Sequence, residues 1–289
     1  MLTPLAIVTG ATGGLGLETA LGLARAGHEV LLTGRNAARG AEALERVRAA
    51  GHARFALLDV ADLASVAAFA GSVTGPVAVL VNNAGVMALP RRELTVDGFE
   101  RQLGTNYLGH FALTARLLPR LAGGRVVNVS SLAHRRGAIA FDDLQGERRY
   151  SPWAAYGQSK LAMLMFSLEL DRRSAAAGWG VRAIAAHPGW AASALVAKGV
   201  GHGRPGFFAA AMQAGFNALG QSTAAGALPL LYAALDPAAA AGGYYGPCCW
   251  GETRGRPTAS RIFPQAADQA ACARLWDAAG RLTGVTFGR

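Results

Sequence analysis

The segment Thr9-Gly10-Ala11-Thr12-Gly13-Gly14-Leu15-Gly16 follows directly after the apolar run Leu5–Val8. A short apolar run of this kind is typical of a strand buried on both faces, and the residues from Gly14 onward are spaced as in an amphipathic helix. Glycines at such a turn allow a phosphate to approach the backbone, and a helix N-terminus offers unpaired N–H groups and a positive dipole. The order of strand, glycine turn and helix therefore predicts a dinucleotide-binding unit.

The alternation of short apolar strands and longer helices continues along the chain. Further strands are predicted at residues 30–32, 55–58, 77–81, 125–129, 181–185 and 244–245, and helices at 14–26, 37–50, 63–73, 103–121, 155–176 and 223–235. Such alternation predicts parallel strands joined by right-handed crossovers. We therefore expect an α/β fold with one domain over residues 1–289, a Rossmann-type doubly wound parallel sheet. Its cofactor half covers about residues 1–130 and its catalytic and substrate half about residues 131–289.

Regularity ends in the segment 190–220, which is rich in glycine and alanine. Its large apolar residues are Trp190, Leu195, Val196, Phe207, Phe208, Met212 and Phe216. One interpretation is an apolar cap, or lid, over a bulky hydrophobic substrate, with Trp190, Phe207 and Phe208 in contact with it. Packing of the segment onto the domain, or a contact between subunits, is an equally good interpretation. After the strand at 244–245 we expect an irregular tail.

Composition excludes several classes of protein. The chain has 289 residues, of which 52% are apolar and 16% charged, and this balance excludes a disordered chain. No run of eighteen apolar residues is present, and the first four residues show no leader, so we expect a cytoplasmic protein without a membrane anchor. The cysteines Cys248, Cys249 and Cys272 have no metal-ligand spacing, so we expect neither a disulfide framework nor a metal site.

The formal net charge is +10, with 28 lysines and arginines against 18 acids. A basic chain can bind a polyanion. The arginines are scattered as pairs without interleaved aromatic residues, however, so we predict that the protein does not bind nucleic acid. Only two of the basic residues are lysines, Lys160 and Lys198.

Tyr156 and Lys160 are four residues apart in a predicted helix and therefore neighbours on one face. A tyrosine is a poor acid or base near neutral pH unless a positive charge favours its phenolate form. The Lys160 ammonium and an oxidised nicotinamide would both lower the pKa of Tyr156. The pair therefore predicts a general acid for reduction that serves as the base for oxidation.

Further motifs occur in order after the glycine turn. They are Asn82-Asn83-Ala84-Gly85 at the end of the fourth strand, Asn106 in the next helix, Val129-Ser130-Ser131, Tyr156-Gly157-Gln158-Ser159-Lys160 and His187-Pro188-Gly189. Together they resemble the short-chain dehydrogenase/reductase superfamily over nearly the whole chain. Gly10, Gly14 and Gly16 fit its shorter branch, whereas Gly10, Gly13 and Gly16 would fit the extended branch. The downstream motifs decide for the shorter one. Ser131 precedes Tyr156 by 25 residues, an interval similar to that of the retinol-dehydrogenase-like subgroup.

The resemblance implies a role for each matching residue. Ser131 and Tyr156 would bind the substrate oxygen, Lys160 the nicotinamide ribose, and Asn106 would help hold a water in a proton relay that ends at the lysine. An asparagine packed for structural reasons is the alternative for Asn106. Ser130 would support the turn. The implied cofactor contacts are Gly10, Thr12, Gly14, Leu15, Gly16, Arg35, Asn36, Asp59, Val60, Asn83, Ala84, Gly85, Tyr156, Lys160, Pro188 and Gly189.

The choice of nucleotide is expected at the end of the second strand, where the chain reads Thr33-Gly34-Arg35-Asn36. An acid there would bind the ribose 2′-hydroxyl, whereas a guanidinium suits a 2′-phosphate. We therefore predict NADP(H) rather than NAD(H), although Arg35 also fits an ordinary helix start. Asp59 and Val60 resemble the adenine-contacting pair of the family, and Asp59 fits a helix cap equally well.

Two histidines lie close to these motifs, and we assign neither a proton-transfer role. His134 lies in a loop shortly after a strand, and its side chain is expected to be exposed to solvent. His187 is expected to shape the backbone near the nicotinamide amide.

The combined prediction is an NADP(H)-dependent oxidoreductase that interconverts a hydrophobic ketone or aldehyde and its alcohol. The family usually pairs its two long helices, so a homodimer or homotetramer is expected. A non-catalytic NADP(H)-binding regulatory or scaffold protein is the alternative. Such relatives usually lose the tyrosine or the lysine, and both are present here.

Overall fold

A computed structural model describes residues 3–191 and 220–288 of the protein. The strands are β1 (Leu5–Val8), β2 (Glu29–Gly34), β3 (Ala53–Leu57), β4 (Val77–Asn82), β5 (Arg125–Val129), β6 (Arg182–Ala186), β7 (Tyr244–Cys249) and β8 (Arg254–Ala259). The helices are α1 (Gly14–Arg25), α2 (Ala37–Arg48), α3 (Leu63–Ser72), α4 (Arg101–Leu103), α5 (Gly109–Leu117), α6 (Pro152–Ala177), α7 (Thr223–Leu235), α8 (Pro264–Ala267) and α9 (Gln269–Thr283).

In the described parts of the chain the strands form one sheet in the order β3-β2-β1-β4-β5-β6-β7-β8. The pairs from β3 to β7 are parallel, as predicted, and the chain order reverses direction across the sheet between β1 and β4. β8 pairs antiparallel with β7, so the expected all-parallel sheet is wrong at this edge. Pro257 lies in β8, and an edge strand is where a residue without a backbone N–H is tolerated.

Each face of the sheet is covered by helices. One apolar cluster packs α1, α2 and α7 on one face, and includes Leu17, Val47 and Leu230. The other packs α3, α5, α6 and α9 on the opposite face, and includes Phe111 and Trp276. Burial on both faces explains why the strands read as continuous apolar runs.

The C-terminal region is ordered where an irregular tail was expected, and that prediction is wrong. β8 forms because the chain turns back onto β7, and α9 presents Cys272, Leu275, Trp276 and Ala279 to the core. Trp276 packs edge-on against Phe111, with ring centroids 5.1 Å apart. The spacing of these apolar residues is helical and was visible in the sequence.

The helix predicted at 103–121 is interrupted. A π turn at Gly104–Leu108 separates α4 from α5, and a 3₁₀ turn at Leu118–Arg120 ends it. A side chain at Gly109 would overlap the carbonyl oxygen of Val60. The π turn places Asn106 at an irregularity of a kind that is frequent at functional sites.

Within residues 3–191 and 220–288, no helix combines the length and the apolar character needed to cross a bilayer.

Candidate active site

The glycine turn brings β1, α1 and the end of β4 together. Gly10 has a φ of 65°, and a Cβ there would lie 2.9 Å from the Cα of Ala84. A Cβ placed on Gly13 or on Gly14 would meet no neighbouring atom within 4 Å, so the space beside these two glycines is open. No described side chain caps α1, so its first N–H groups remain available to an anionic ligand. These features fit the pyrophosphate of a dinucleotide.

One cavity of about 940 Å³ opens along the carboxyl ends of the strands, the edge where ligands of such sheets bind. Every described residue of the predicted site except Asn106 lines it: Gly10, Thr12, Gly14, Leu15, Gly16, Arg35, Asn36, Asp59, Val60, Asn83, Ala84, Gly85, Ser131, Tyr156, Lys160, Pro188, Gly189 and Trp190. Phe207 and Phe208 lie outside the described residues, as does the segment 192–219 of the predicted cap.

Asn106 is fully buried behind the cavity wall. Its Oδ1 accepts from the backbone N–H of Val86 at 2.8 Å, and its Nδ2 donates to the Val86 carbonyl at 2.9 Å and to Ser159 Oγ at 2.9 Å. The Asn106 amide therefore fixes the backbone of Val86. Val86 directly follows residues 82–85, the loop that is predicted to contact the cofactor and is called the cofactor loop below.

Ser131 and Tyr156 lie together in the cavity, and burial raises the pKa of the Tyr156 phenol while its hydrogen bond with Ser131 acts in the opposite direction. The lowered pKa expected from Lys160 is therefore not found in this structure. Lys160 Nζ lies 5.9 Å from the Tyr156 ring centroid, and burial is the larger effect on the phenol.

Lys160 is buried at the floor of the cavity. Its Nζ donates to the Val129 carbonyl at 3.0 Å, and burial lowers its pKa to about 8. Ser130 Oγ donates to the Lys160 carbonyl at 2.8 Å, so Ser130 supports the local backbone, as predicted. Both serines line the cavity, and Ser131 is the more exposed of the two, since Ser130 is buried.

The far end of the cavity carries two exposed arginines. Arg35 follows β2, and its Nη1 is 4.0 Å from the Asp59 carboxylate. Asn36 caps α2 by accepting from the Arg39 N–H at 2.9 Å. Arg39 also lines the cavity, although the sequence reasoning missed it. The signal that would have found it is its place in the first turn of the helix that follows Arg35.

The Asp59 carboxylate accepts from the Ala61 N–H at 3.0 Å. The helix α3 is capped by Asp62 instead, so the helix-cap alternative for Asp59 is wrong. Asp59 lines the cavity, and its contact with adenine stays a prediction.

The expectation of a solvated His134 is wrong. The ring is fully buried, with Nδ1 2.6 Å from the Ser131 carbonyl and 3.2 Å from Tyr244 Oη. A short 3₁₀ turn at Leu132–Arg136 folds it inward. Burial lowers the pKa of His134 to about 4, which keeps the ring neutral near neutral pH.

His187 anchors a loop that the sequence reasoning did not include in the site. Its Nδ1 accepts from the Gly189 N–H at 3.2 Å, and its Nε2 is 3.0 Å from a Glu252 carboxylate oxygen. Arg135 contacts the same carboxylate at 2.8 Å. These contacts hold the loop 250–253, whose residues Gly251 and Thr253 line the cavity.

Two further features were not foreseen. Trp153 lines the cavity three residues before Tyr156, with the two ring centroids 6.1 Å apart. Cys248 and Cys249 form a vicinal disulfide in β7, whereas the sequence suggested no disulfide.

Comparison with known proteins agrees with the geometry. The family model described as short chain dehydrogenase matches residues 4–200. Retinol dehydrogenase 12 of Mus musculus is 38% identical over 97% of this chain and 86% of its own length. Polyprenol dehydrogenase of Mus musculus is 49% identical over 64% of this chain, a match that spans 58% of that relative.

The fold is also similar to a solved one. A crystal structure of an uncharacterized protein from Mycobacterium paratuberculosis is 42% identical, with a TM-score of 0.82 over 99% of this chain and 95% of the other. With the family model matching more than half of the sequence, the chain belongs to the short-chain dehydrogenase/reductase family of oxidoreductases, in its retinol-dehydrogenase-like subgroup.

Proposed function

We propose that the protein is an NADP(H)-dependent oxidoreductase that interconverts a hydrophobic ketone or aldehyde and the corresponding alcohol. The observation that carries the proposal is the cavity that Ser131, Tyr156 and Lys160 share with the glycine turn at Gly10 and Gly14. The bound nicotinamide supplies hydride for reduction and accepts it in oxidation.

The proposed proton chemistry belongs to Tyr156. In reduction its hydroxyl donates the proton to the substrate oxygen, and Ser131 donates a second hydrogen bond to the same atom. Lys160, buried with its Nζ on the Val129 carbonyl, would bind the ribose hydroxyls. Its positive charge, together with that of the oxidised nicotinamide, favours the phenolate that burial disfavours.

Arg35 and Arg39 support the choice of NADP(H). They line the same end of the cavity, Arg35 between β2 and the Asn36 cap and Arg39 in the first turn of α2. Two guanidinium groups can bind a 2′-phosphate with several charge-assisted hydrogen bonds. Asp59 is the one acid that lines this part of the cavity among the described residues, and it faces Arg35.

The substrate side supports a hydrophobic compound. Met87, Leu132, Trp153 and Trp190 line it together with Tyr156, and large apolar linings bind apolar ligands. Two relatives are named for hydrophobic alcohols, retinol and polyprenol. The cytoplasmic location and the homodimer or homotetramer stay predictions.

The proposal is tested by following the loss of NADPH and of NADH absorbance with a panel of hydrophobic aldehydes and ketones. We expect turnover with NADPH, and we expect Tyr156→Phe to abolish it while NADPH binding, followed by fluorescence, is kept. Ser167→Ala, which removes a buried hydroxyl three turns further along the same helix and outside the cavity, is the control for damage to the fold. Unchanged turnover in Tyr156→Phe would refute the mechanism, and a strong preference for NADH would refute the cofactor assignment.

A further inference from the structure

His110 is a buried histidine that the proposed mechanism does not use. It lies in α5, one turn after Asn106, and is fully buried. Its Nε2 is 2.9 Å from Thr9 Oγ1, and its Nδ1 is 3.0 Å from the Asn106 carbonyl oxygen. The ring therefore bridges the start of the glycine turn and the π turn of the helix, two segments 101 residues apart in sequence at the Thr9 contact.

The hydrogen bonds around Thr9 determine where its hydroxyl proton points. The Thr9 oxygen accepts the backbone N–H groups of Asn83 at 2.8 Å and Ala84 at 2.9 Å, and these two bonds use both of its lone pairs. The proton then has two possible acceptors, the Val81 carbonyl at 3.2 Å and His110 Nε2 at 2.9 Å. The Val81 carbonyl already accepts from the Thr9 N–H at 3.0 Å and shares the Asn83 N–H with Thr9 Oγ1, whereas His110 Nε2 is the nearer acceptor, so the proton goes to His110.

The same count fixes the tautomer of His110. A carbonyl oxygen only accepts, so the nitrogen that faces the Asn106 carbonyl must carry the proton. A proton on Nε2 would oblige the Thr9 oxygen to accept a third hydrogen bond and would leave Nδ1 facing the carbonyl without one. Burial lowers the pKa of His110 to about 4, the charge of Lys160 acts in the same direction, and the hydrogen bond to Asn106 acts against them. The ring is thus neutral near neutral pH.

His110 joins Thr9, which holds the cofactor loop 82–85, to Asn106, a predicted catalytic residue. Thr9 holds the loop 82–85 through the N–H groups of Asn83 and Ala84. All three hydrogen-bond positions of the Asn106 amide described above are taken by Val86 and Ser159. The Asn106 main-chain oxygen faces His110 Nδ1 at 3.0 Å, so the ring orients this carbonyl while the side-chain amide holds Val86.

We propose that His110 is a positioning residue of the reaction: as a neutral imidazole protonated on Nδ1, it orients the Asn106 carbonyl and ties it through Thr9 to the cofactor loop 82–85. The inference rests on the proposed function, because it gives that carbonyl a water of the proton relay to hold. His110 itself neither takes up nor releases a proton.

Two variants separate the two contacts of the ring. In His110→Asn the side-chain amide can keep the donor near the Nδ1 position, and in His110→Gln the amide oxygen can keep the acceptor near the Nε2 position. Leu117→Val is the matched control, because Leu117 is buried on the same helix, two turns after His110, and packs in the apolar cluster that includes Phe111 and Trp276.

We expect His110→Gln to lower kcat about tenfold, with the KM for NADPH changed by less than about twofold, because the relay carbonyl loses its donor. His110→Asn should keep kcat within about threefold and raise the KM for NADPH by about threefold or more, because the Thr9 loop loses its acceptor. Leu117→Val should leave both parameters within about twofold of the wild type. Equal losses of kcat in the two His110 variants, or a loss of the same size in Leu117→Val, would overturn the proposal.

A measurement on the unmodified chain keeps the proposal testable if a variant does not fold. In the ¹⁵N NMR spectrum of histidine-labelled protein, we expect His110 to show the Nδ1–H tautomer and no titration between about pH 5 and 8. An Nε2–H tautomer, or a titration in that range, would overturn the proposal. The spectrum does not depend on turnover, so it distinguishes a failure of this inference from a failure of the proposed function.

Discussion

The amide of Asn106 closes on the backbone of Val86, with Oδ1 accepting from the Val86 N–H at 2.8 Å and Nδ2 donating to the Val86 carbonyl at 2.9 Å. A Cβ on Gly85 would stand 3.0 Å from Asn106 Oδ1 and 3.7 Å from Lys160 Nζ. Asn106 therefore faces the lysine across a space that a glycine leaves open. Its side chain fixes the wall of the site, and its main-chain oxygen faces His110 Nδ1.

Asn106→Asp is expected to destabilise the protein and to slow turnover. The carboxylate would place an oxygen against the Val86 carbonyl in a fully buried position, with neither group able to donate. We expect a loss of about 3 kcal/mol in the free energy of unfolding, measured by urea denaturation. An unchanged denaturation midpoint would show that the clamp on Val86 contributes little.

The Lys160 ammonium should set an upper pH limit for reduction. Burial lowers its pKa to about 8, so the lysine is charged below that pH and increasingly neutral above it. We expect kcat/KM for NADPH, which reports on the free enzyme, to fall as pH rises through about 8. A profile that stays flat well above this value would contradict the assignment.

The same group makes stability depend on pH in a known direction. From about pH 8 to the ordinary lysine pKa of 10.5, the unfolded chain holds a proton that the native lysine has lost. The Lys160 contribution to the free energy of unfolding therefore rises with pH across this range. Lys160→Met has no such proton, so the stability of the wild type relative to this variant should increase from pH 8 to 10.

Arg35 and Arg39 should determine the preference between the two nicotinamide nucleotides. Arg35→Asp would repel a 2′-phosphate and accept a ribose 2′-hydroxyl, so we expect kcat/KM for NADPH relative to NADH to fall about 100-fold. Arg39→Ala should cause a smaller fall, of about tenfold, because one guanidinium remains.

A matched control for these variants is Arg46→Ala. Arg46 lies on the same helix but pairs with Glu18 at 3.8 Å outside the cavity. If this variant shifted the ratio as far as Arg39→Ala does, the effect would be one of overall charge and the assignment would fail.

Glu252 should stabilise the loop 250–253 only while its carboxylate is ionised. Burial acts to raise its pKa, but the hydrogen bond with His187 and the charge of Arg135 outweigh it and hold the pKa near 2, below the ordinary 4.5. The stabilisation is therefore present above about pH 4.5 and is lost as pH falls toward 2.

Glu252→Gln should cost about 1–2 kcal/mol at neutral pH, and its difference from the wild type should shrink as urea titrations move below pH 4.5. Glu147→Gln, at an exposed carboxylate 3.6 Å from Arg92, should change little at any pH. A gap between Glu252→Gln and the wild type that is constant with pH would refute the role of the charge.

Short-range patterns were sufficient for much of the fold and the site. The strand, the glycine turn and the helix at Gly14 are adjacent in sequence, and Tyr156 and Lys160 are separated by one helical turn, so their relative positions follow from local geometry. Strand β8 and helix α9 were both missed, for different reasons. β8 has little strand propensity and forms by pairing with β7, whereas the helix had a visible apolar spacing that was not used.

By itself the sequence determined the order of strands and helices, the family, and the side chains that face the cavity at the strand ends, because each depends on residues close together in the chain. The tertiary structure decided what depends on burial and on partners far apart. It reverses the direction expected for the Tyr156 pKa, buries His134, and sets Glu252 between Arg135 and His187. It also sets His110 between Thr9 and Asn106, a bridge no local pattern encodes, because a hydrogen bond or a desolvation penalty exists only once distant segments have packed together.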